Sequence, residues 1–146
     1  PLGAEVLINY NEQDFVEVID AETGGRGVDV ILDNMGAKYL ERNVDALARN
    51  GRLVVVGLQG GIKAELNLNS MLRKNASVTA TGLRGRPDSE KAAICAAVER
   101  QVWPWIAAGI VKPVIDRVMP IDDAGDAHSL IEVGVITGKL VLLVRA

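Results

Sequence analysis

The chain has 146 residues, 49% of them hydrophobic in type, and a formal net charge of −3 at pH 7; that is enough apolar material for one domain with a real core, which excludes a disordered segment. Its charges are interspersed, with Arg84 and Arg86 the nearest approach to a basic cluster, so no nucleic-acid partner is expected, since such binders concentrate Lys and Arg in a patch. No apolar run reaches the roughly 20 residues of a membrane span, no signal-peptide pattern opens the chain, and a single Cys95 and a single His128 exclude an internal disulfide or an all-nitrogen-and-sulfur zinc site; a cytoplasmic protein with no membrane partner and no metal is expected.

Glu5 to Tyr10 reads as a first strand. Asn11 to Glu22 carries Phe15, Val18, Ile19 and Glu22 at helical spacing, and Gly24-Gly25-Arg26-Gly27 stops that helix. Val28 to Asp33 predicts a buried central strand that ends in Asn34-Met35-Gly36. A helix from Ala37 to Arg49 places Leu40, Val44 and Leu47 on one face before Asn50-Gly51 closes it. Arg52 to Gly57 is almost continuously apolar, as a strand covered on both faces should be, and Gln59-Gly60-Gly61 follows as a loop.

A short helix about Ser70 to Lys74 precedes a β-branched strand, Ser77 to Leu83, which opens into Arg84-Gly85-Arg86-Pro87. Asp88 or Ser89 is the expected cap of a long helix with Ile94, Val98, Val102 and Ile106 on one stripe, kinked at Pro104 and ended by Gly109. After a linker at Gly109 to Pro113 come a strand over Val114 to Met119, a helix capped by Asp122 or Asp123, and a strand over Gly138 to Val144. This alternation predicts the α/β class, a doubly wound parallel sheet.

In such a sheet ligands bind beyond the carboxyl ends of the strands. The candidates are therefore Tyr10, Asn34 to Gly36, Gly57 to Gln59 and Gly82 to Arg84. Glycines there serve either close approach to a flat ligand or tight turns, and the residue types alone leave both open. No Gly-x-Gly-x-x-Gly turn between a strand and a helix is present, and Gly24 to Gly27 precedes a strand, which suits a helix cap. Asp33 lacks the upstream glycine turn that a ribose-binding acid follows by about 20 residues; a structural role is expected, capping the next helix. Cys95 has no base beside it and reads as a buried, inert thiol, and His128 reads as a surface or helix-packing residue.

Four phrases occur in order: Gly3 to Tyr10, Gly25 to Gly36, Asn50 to Gly57 and Gly138 to Leu142, with Gly109 to Val114 and Pro120 to His128 between the last two. Together they resemble the C-terminal half of zinc-independent medium-chain dehydrogenase/reductases, in the NADPH:quinone oxidoreductase (zeta-crystallin-like) branch. The resemblance implies a partial Rossmann-type sheet lacking its first βαβ segment, over residues 1–111, and a segment, 112–146, that completes a catalytic domain. It implies NADPH, with NADH the less favoured cofactor, and hydride transfer to a quinone or an α,β-unsaturated carbonyl. Tyr10 matches a tyrosine beside the adenosine 2′-phosphate, and Asn34 to Gly36 the loop along the adenosine. Val56, Gly57 and Leu58 match the segment under the nicotinamide ribose, Gly82, Leu83 and Arg84 the backbone that meets the carboxamide, and Lys139 a basic position facing the pyrophosphate. No residue is expected to be catalytic. A homodimer through the edge strand Ser77 to Leu83, or self-association through apolar surface, is implied as well. The alternatives are a non-enzymatic nucleotide-binding or structural module, and another doubly wound enzyme such as a methyltransferase, which would need a glycine-rich loop after its first strand.

Overall fold

In the computed structural model, which describes residues 3–144, the first helix starts where the sequence supplies a cap. Asp14 accepts a hydrogen bond from the Val16 N–H at 2.8 Å and opens α1 (Phe15–Thr23), and Gly24, at φ 60°, closes it. Thr23 ties the following turn, its hydroxyl donating to the Ile19 carbonyl at 2.6 Å and accepting from the Gly27 N–H at 3.0 Å.

Three parallel strands follow in the order of the chain: β1 (Val28–Asp33), β2 (Leu47–Val55) and β3 (Ser77–Ala80), with β2 in the middle. Two expectations are corrected here. Glu5 to Tyr10 forms no strand, because no strand among the described residues lies alongside to receive its hydrogen bonds. For the same reason β1 is an edge rather than a buried central strand, and its Val30 and Leu32 are 50% and 72% exposed.

The helix expected over Ala37 to Arg49 is shorter. A 3-10 turn (Gly36–Tyr39) leads into α2 (Leu40–Ala46), and the chain is already extended at Leu47. The Lys74 ammonium accounts for this early stop, since it donates to the carbonyls of Val44, Asp45 and Leu47 at 3.0, 2.6 and 2.8 Å and so satisfies groups that another helical turn would otherwise have to bond. Asn50, at φ 64°, lies inside β2 instead of ending a helix. There β2 bulges, with Leu47 opposite Val28 but Arg52 opposite Val30.

Packed on β2 is α3 (Leu68–Lys74), capped by Asn67, whose side chain accepts from the N–H groups of Asn69 and Ser70, and closed by Asn75 at φ 48°. The core gathers Val44, Leu47 and Leu53, with Ile31, Leu40, Val55, Met71, Ala76 and Val78 around them. β3 ends at Ala80, short of the predicted Leu83, because β2 offers no partner beyond Val55.

The described residues form two compact units, which divide between Arg86 and Pro87 rather than at the linker predicted near Gly109 to Pro113. In the second unit α4 (Asp88–Ala107) follows Pro87 at the N-cap position; Asp88 and Ser89 are inside the helix, so neither caps it. The helix continues through Pro104 to Ala107, and Gly109, at φ 69°, follows its end. It buries none of its residues: Trp103 is 62% exposed, and Cys95, expected to be buried, is exposed as well. Then come β4 (Ile115–Pro120), α5 (Ala124–Val133) and β5 (Lys139–Leu143), a parallel βαβ unit. Asp123 occupies the N-cap position of α5, as expected, but its side chain makes no capping hydrogen bond. No helix among the described residues is long and apolar enough to cross a membrane.

Candidate functional site

The register brings Asp33, Val55 and Ala80 side by side, so the carboxyl ends of β1, β2 and β3 form a row. The segments that leave this row are 34–36, 56–58 and 81–83. Parallel strands make such a row open outward, and there a ligand meets backbone groups that the sheet no longer uses.

The first two segments are interlocked. Asp33, 5% exposed, accepts hydrogen bonds from the N–H groups of Met35 at 3.0 Å and Gly36 at 2.7 Å. The turn so made aims the Asn34 and Met35 carbonyls at the second loop, where they accept from Gln59 at 3.2 Å and Gly60 at 2.7 Å. In return the Gly61 and Gly60 carbonyls accept from Ala37 and Lys38. Gly36, at φ 72°, lies where a Cβ would come within 2.8 Å of Leu58 Cδ2. A Cβ on Gly57 would come within 2.8 Å of the Asn34 carbonyl oxygen. At these two glycines the open question is answered: the space beside each is taken by the neighbouring loop.

Gly82 is different, for nothing lies within 4 Å of where its Cβ would be. Between it and the second segment opens a groove of about 470 Å³ lined by Val55 to Leu58 and Ala80 to Gly82. Thus Val56, Gly57, Leu58 and Gly82 of the predicted residues come together. Asn34 lines a separate cavity of about 260 Å³ with Phe15, Tyr39 and Asn43, and Gly36 is buried under Leu58. Tyr10 is 73% exposed and lines neither cavity. Leu83 and Arg84 belong to the exposed turn after Gly82, closed by the Arg86 N–H donating to the Leu83 carbonyl. Lys139 opens β5 in the second unit.

The sequence reading missed three residues that line the groove, Val55, Ala80 and Thr81, and also Arg86, which fixes the wall from outside by donating from Nε to the Gly82 carbonyl at 3.1 Å and from Nη2 to Thr81 Oγ1 at 2.9 Å. The signal for Arg86 is its place across the turn at Gly85, four residues beyond Gly82 and five beyond Thr81. The groove wall holds no acid, base or nucleophile stronger than the Thr81 hydroxyl. What it offers is an apolar surface beside the uncovered Gly82, suited to holding a flat ligand.

The charged contacts lie elsewhere. Arg42 pairs with Asp14 at 3.0 Å and lies over the Phe15 and Tyr39 rings, 4.3 and 5.3 Å from their centroids. The hydrogen bond from Arg42, followed by that from the Val16 N–H, holds the Asp14 carboxyl below its usual 3.8. Asp29 is lowered in the same way, chiefly by its hydrogen bonds from Arg26 at 2.9 and 2.7 Å.

The profile of the family described as zinc-binding dehydrogenase matches residues 2–142. Quinone oxidoreductase 1 of Escherichia coli (strain K12) is 32% identical, over 97% of this chain and 43% of its own length. The 2-haloacrylate reductase of a Burkholderia species is 27% identical, over 99% of this chain and 44% of its own length. A crystal structure of Escherichia coli quinone oxidoreductase complexed with NADPH superposes with a TM-score of 0.76 at 31% identity, covering 97% of this chain and 44% of that one. The chain therefore spans about two fifths of the length of these relatives. The zinc in the family's description finds no fitting donor set: Cys95 and His128 are the chain's only residues of their kinds, and among the described residues no three His, Cys, Asp or Glu side chains come together.

Proposed function

From the premise that this chain belongs to the zinc-binding dehydrogenase family, we propose that it is the cofactor-binding part of an NADPH-dependent reductase that delivers hydride to a quinone or an α,β-unsaturated carbonyl compound. The observation that carries the reading is the groove between residues 56–58 and Gly82, with its one glycine open to a ligand, in a fold that superposes on an NADPH-bound quinone oxidoreductase. The 2-haloacrylate reductase among the relatives favours conjugated acceptors, because its named substrate class is an unsaturated acid.

The residues present fit the nicotinamide half of the cofactor, since an apolar floor beside an unobstructed backbone accepts a planar ring. Bound NADPH supplies the hydride. Val56, Gly57 and Leu58 support the ribose, and the Gly82, Leu83 and Arg84 backbone orients the carboxamide. The apolar wall keeps water from the transferring face. Asn34 borders the adenosine and Tyr10 flanks the 2′-phosphate, while Gly36 acts by seating Leu58 rather than by touching the ligand. No side chain of this chain moves a proton in the hydride step.

In this reading residues 1–111 carry the cofactor and residues 112–146 complete a catalytic domain. Two copies pair through the free edge of β3, and the enzyme works in the cytoplasm. Calorimetric titration with NADPH and with NADH tests the reading. Saturable binding that favours NADPH, and loses that preference in Tyr10→Ala, supports it; binding of neither nucleotide overturns it.

A further inference from the structure

Asp33 is the one buried carboxylate among the described residues, and the hydride step makes no use of it. Both of its oxygens are spent on backbone: Oδ1 accepts from Met35 and Oδ2 from Gly36. Those two bonds fold residues 34–36 back on themselves. In that fold the carbonyls of residues 34 and 35 meet the N–H groups of Gln59 and Gly60, while Gly36 leaves the space that Leu58 Cδ2 fills. Leu58 and Gly57 are also the floor of the groove. The path from Asp33 to the groove therefore has two steps and consists of hydrogen bonds and one close packing contact.

We propose that Asp33 is a positioning residue for the cofactor: it locks loops 34–36 and 57–61 into a single body, and so sets where Gly57 and Leu58 meet the nicotinamide side of the groove. This deepens the NADPH reading and rests on it. The acid suits the task for a plain chemical reason. A carboxylate has two acceptor oxygens and no donor, so it bonds two adjacent N–H groups at once, whereas an amide of the same shape accepts at one oxygen and turns an NH₂ toward the other donor.

The test uses the whole chain, with Asp33→Asn and Asp33→Ala beside the wild type, read by amide hydrogen exchange and by NADPH titration. The amides of Gln59 and Gly60, which never touch Asp33, should exchange about tenfold faster in D33N together with those of Met35 and Gly36, while Leu53 and Val54 in β2 keep wild-type protection. The NADPH dissociation constant should rise about tenfold in D33N and further in D33A, in step with the acceptors lost. A folded D33N that frees Met35 and Gly36 but leaves Gln59 and Gly60 protected overturns the lock. If the variants do not fold, the wild type decides: one common opening for the four amides supports the lock, and separate openings overturn it. Wild-type NADPH binding with unchanged affinity in D33N overturns the positioning role alone, whereas a wild type that binds no NADPH overturns the cofactor reading beneath it.

Discussion

Gly57 lies so close to Asn34 that a Cβ on residue 57 would stand 2.8 Å from the Asn34 carbonyl oxygen and 3.2 Å from its Cα, while at Gly82, across the groove, a Cβ meets nothing within 4 Å. The two glycines thus do opposite things. Gly57→Ala forces one interlocked loop off the other and should cost about 1–3 kcal/mol of stability, as overpacking does. Gly82→Ala should leave stability within about 0.5 kcal/mol of the wild type yet weaken NADPH binding, because the added methyl stands where the ligand approaches. Thermal denaturation and titration of both variants check the pair; a G82A that binds as the wild type does removes Gly82 from the site.

Lys74 bonds three carbonyls at the junction of α2 and β2. In Lys74→Met the stem is retained and the donors are lost; the Val44 carbonyl keeps its bond from the Leu47 N–H and the exposed Asp45 carbonyl turns to water, so the cost is about 1 kcal/mol. The denaturation midpoint should fall while NADPH affinity holds, because the junction is at the opposite end of β2 from the groove. An unchanged midpoint would mean that water replaces the ammonium there.

Asp14 and Asp29 are both held below the usual carboxylate value by arginine partners. A depressed folded-state value means that each ion pair stabilises the fold above the ordinary 3.8, and that this contribution is lost as pH falls through the lower folded-state value. The melting temperature of the wild type should therefore drop on acidification from about pH 5 to about pH 2, and the double variant Asp14→Asn, Asp29→Asn should show a shallower slope over that window. Equal slopes would show that neither pair matters to acid stability.

Thr81 donates to the Val55 carbonyl, so by alternation the Ala80 N–H points off the sheet at the free edge of β3. If copies pair there, Ala80→Pro removes a bond between them and leaves the sheet within each copy intact. Sedimentation should show the wild type as a dimer and A80P shifted toward monomer; a dimer unmoved by the proline must use another surface.

How far this fold was legible from its residues depends on whether each signal is local. Gly24 stops α1 and Gly109 follows α4 because a left-handed residue at a helix end is dictated by the chain itself. The apolar run of residues 28–33 made a strand for a similar reason. Its surroundings were another matter, because Val30 and Leu32 share one face of the strand and their burial requires a layer packed over that face, which the residues of β1 do not encode. Ala37 to Arg49 carried a sound helical pattern and lost its last turn to Lys74, a residue 27 positions beyond Leu47. At the site, strand ends located the groove, but the division of labour among Gly36, Gly57 and Gly82 emerged only from what stands beside each one in space.

Among the described residues, strands pair only with a neighbour in the chain within their own sheet, Ile31 with Leu53, Leu53 with Val78 and Val118 with Val141, so partners are roughly two dozen residues apart. Parallel sheets are ordinarily slow to form because distant segments must find one another before any contact rewards the search. In this molecule each search spans one helix and its turns, and every closure is about as short as the last. The sheet of the first unit is therefore able to grow strand by strand as the polypeptide leaves the ribosome, with β1 waiting for β2 and never for the carboxyl end.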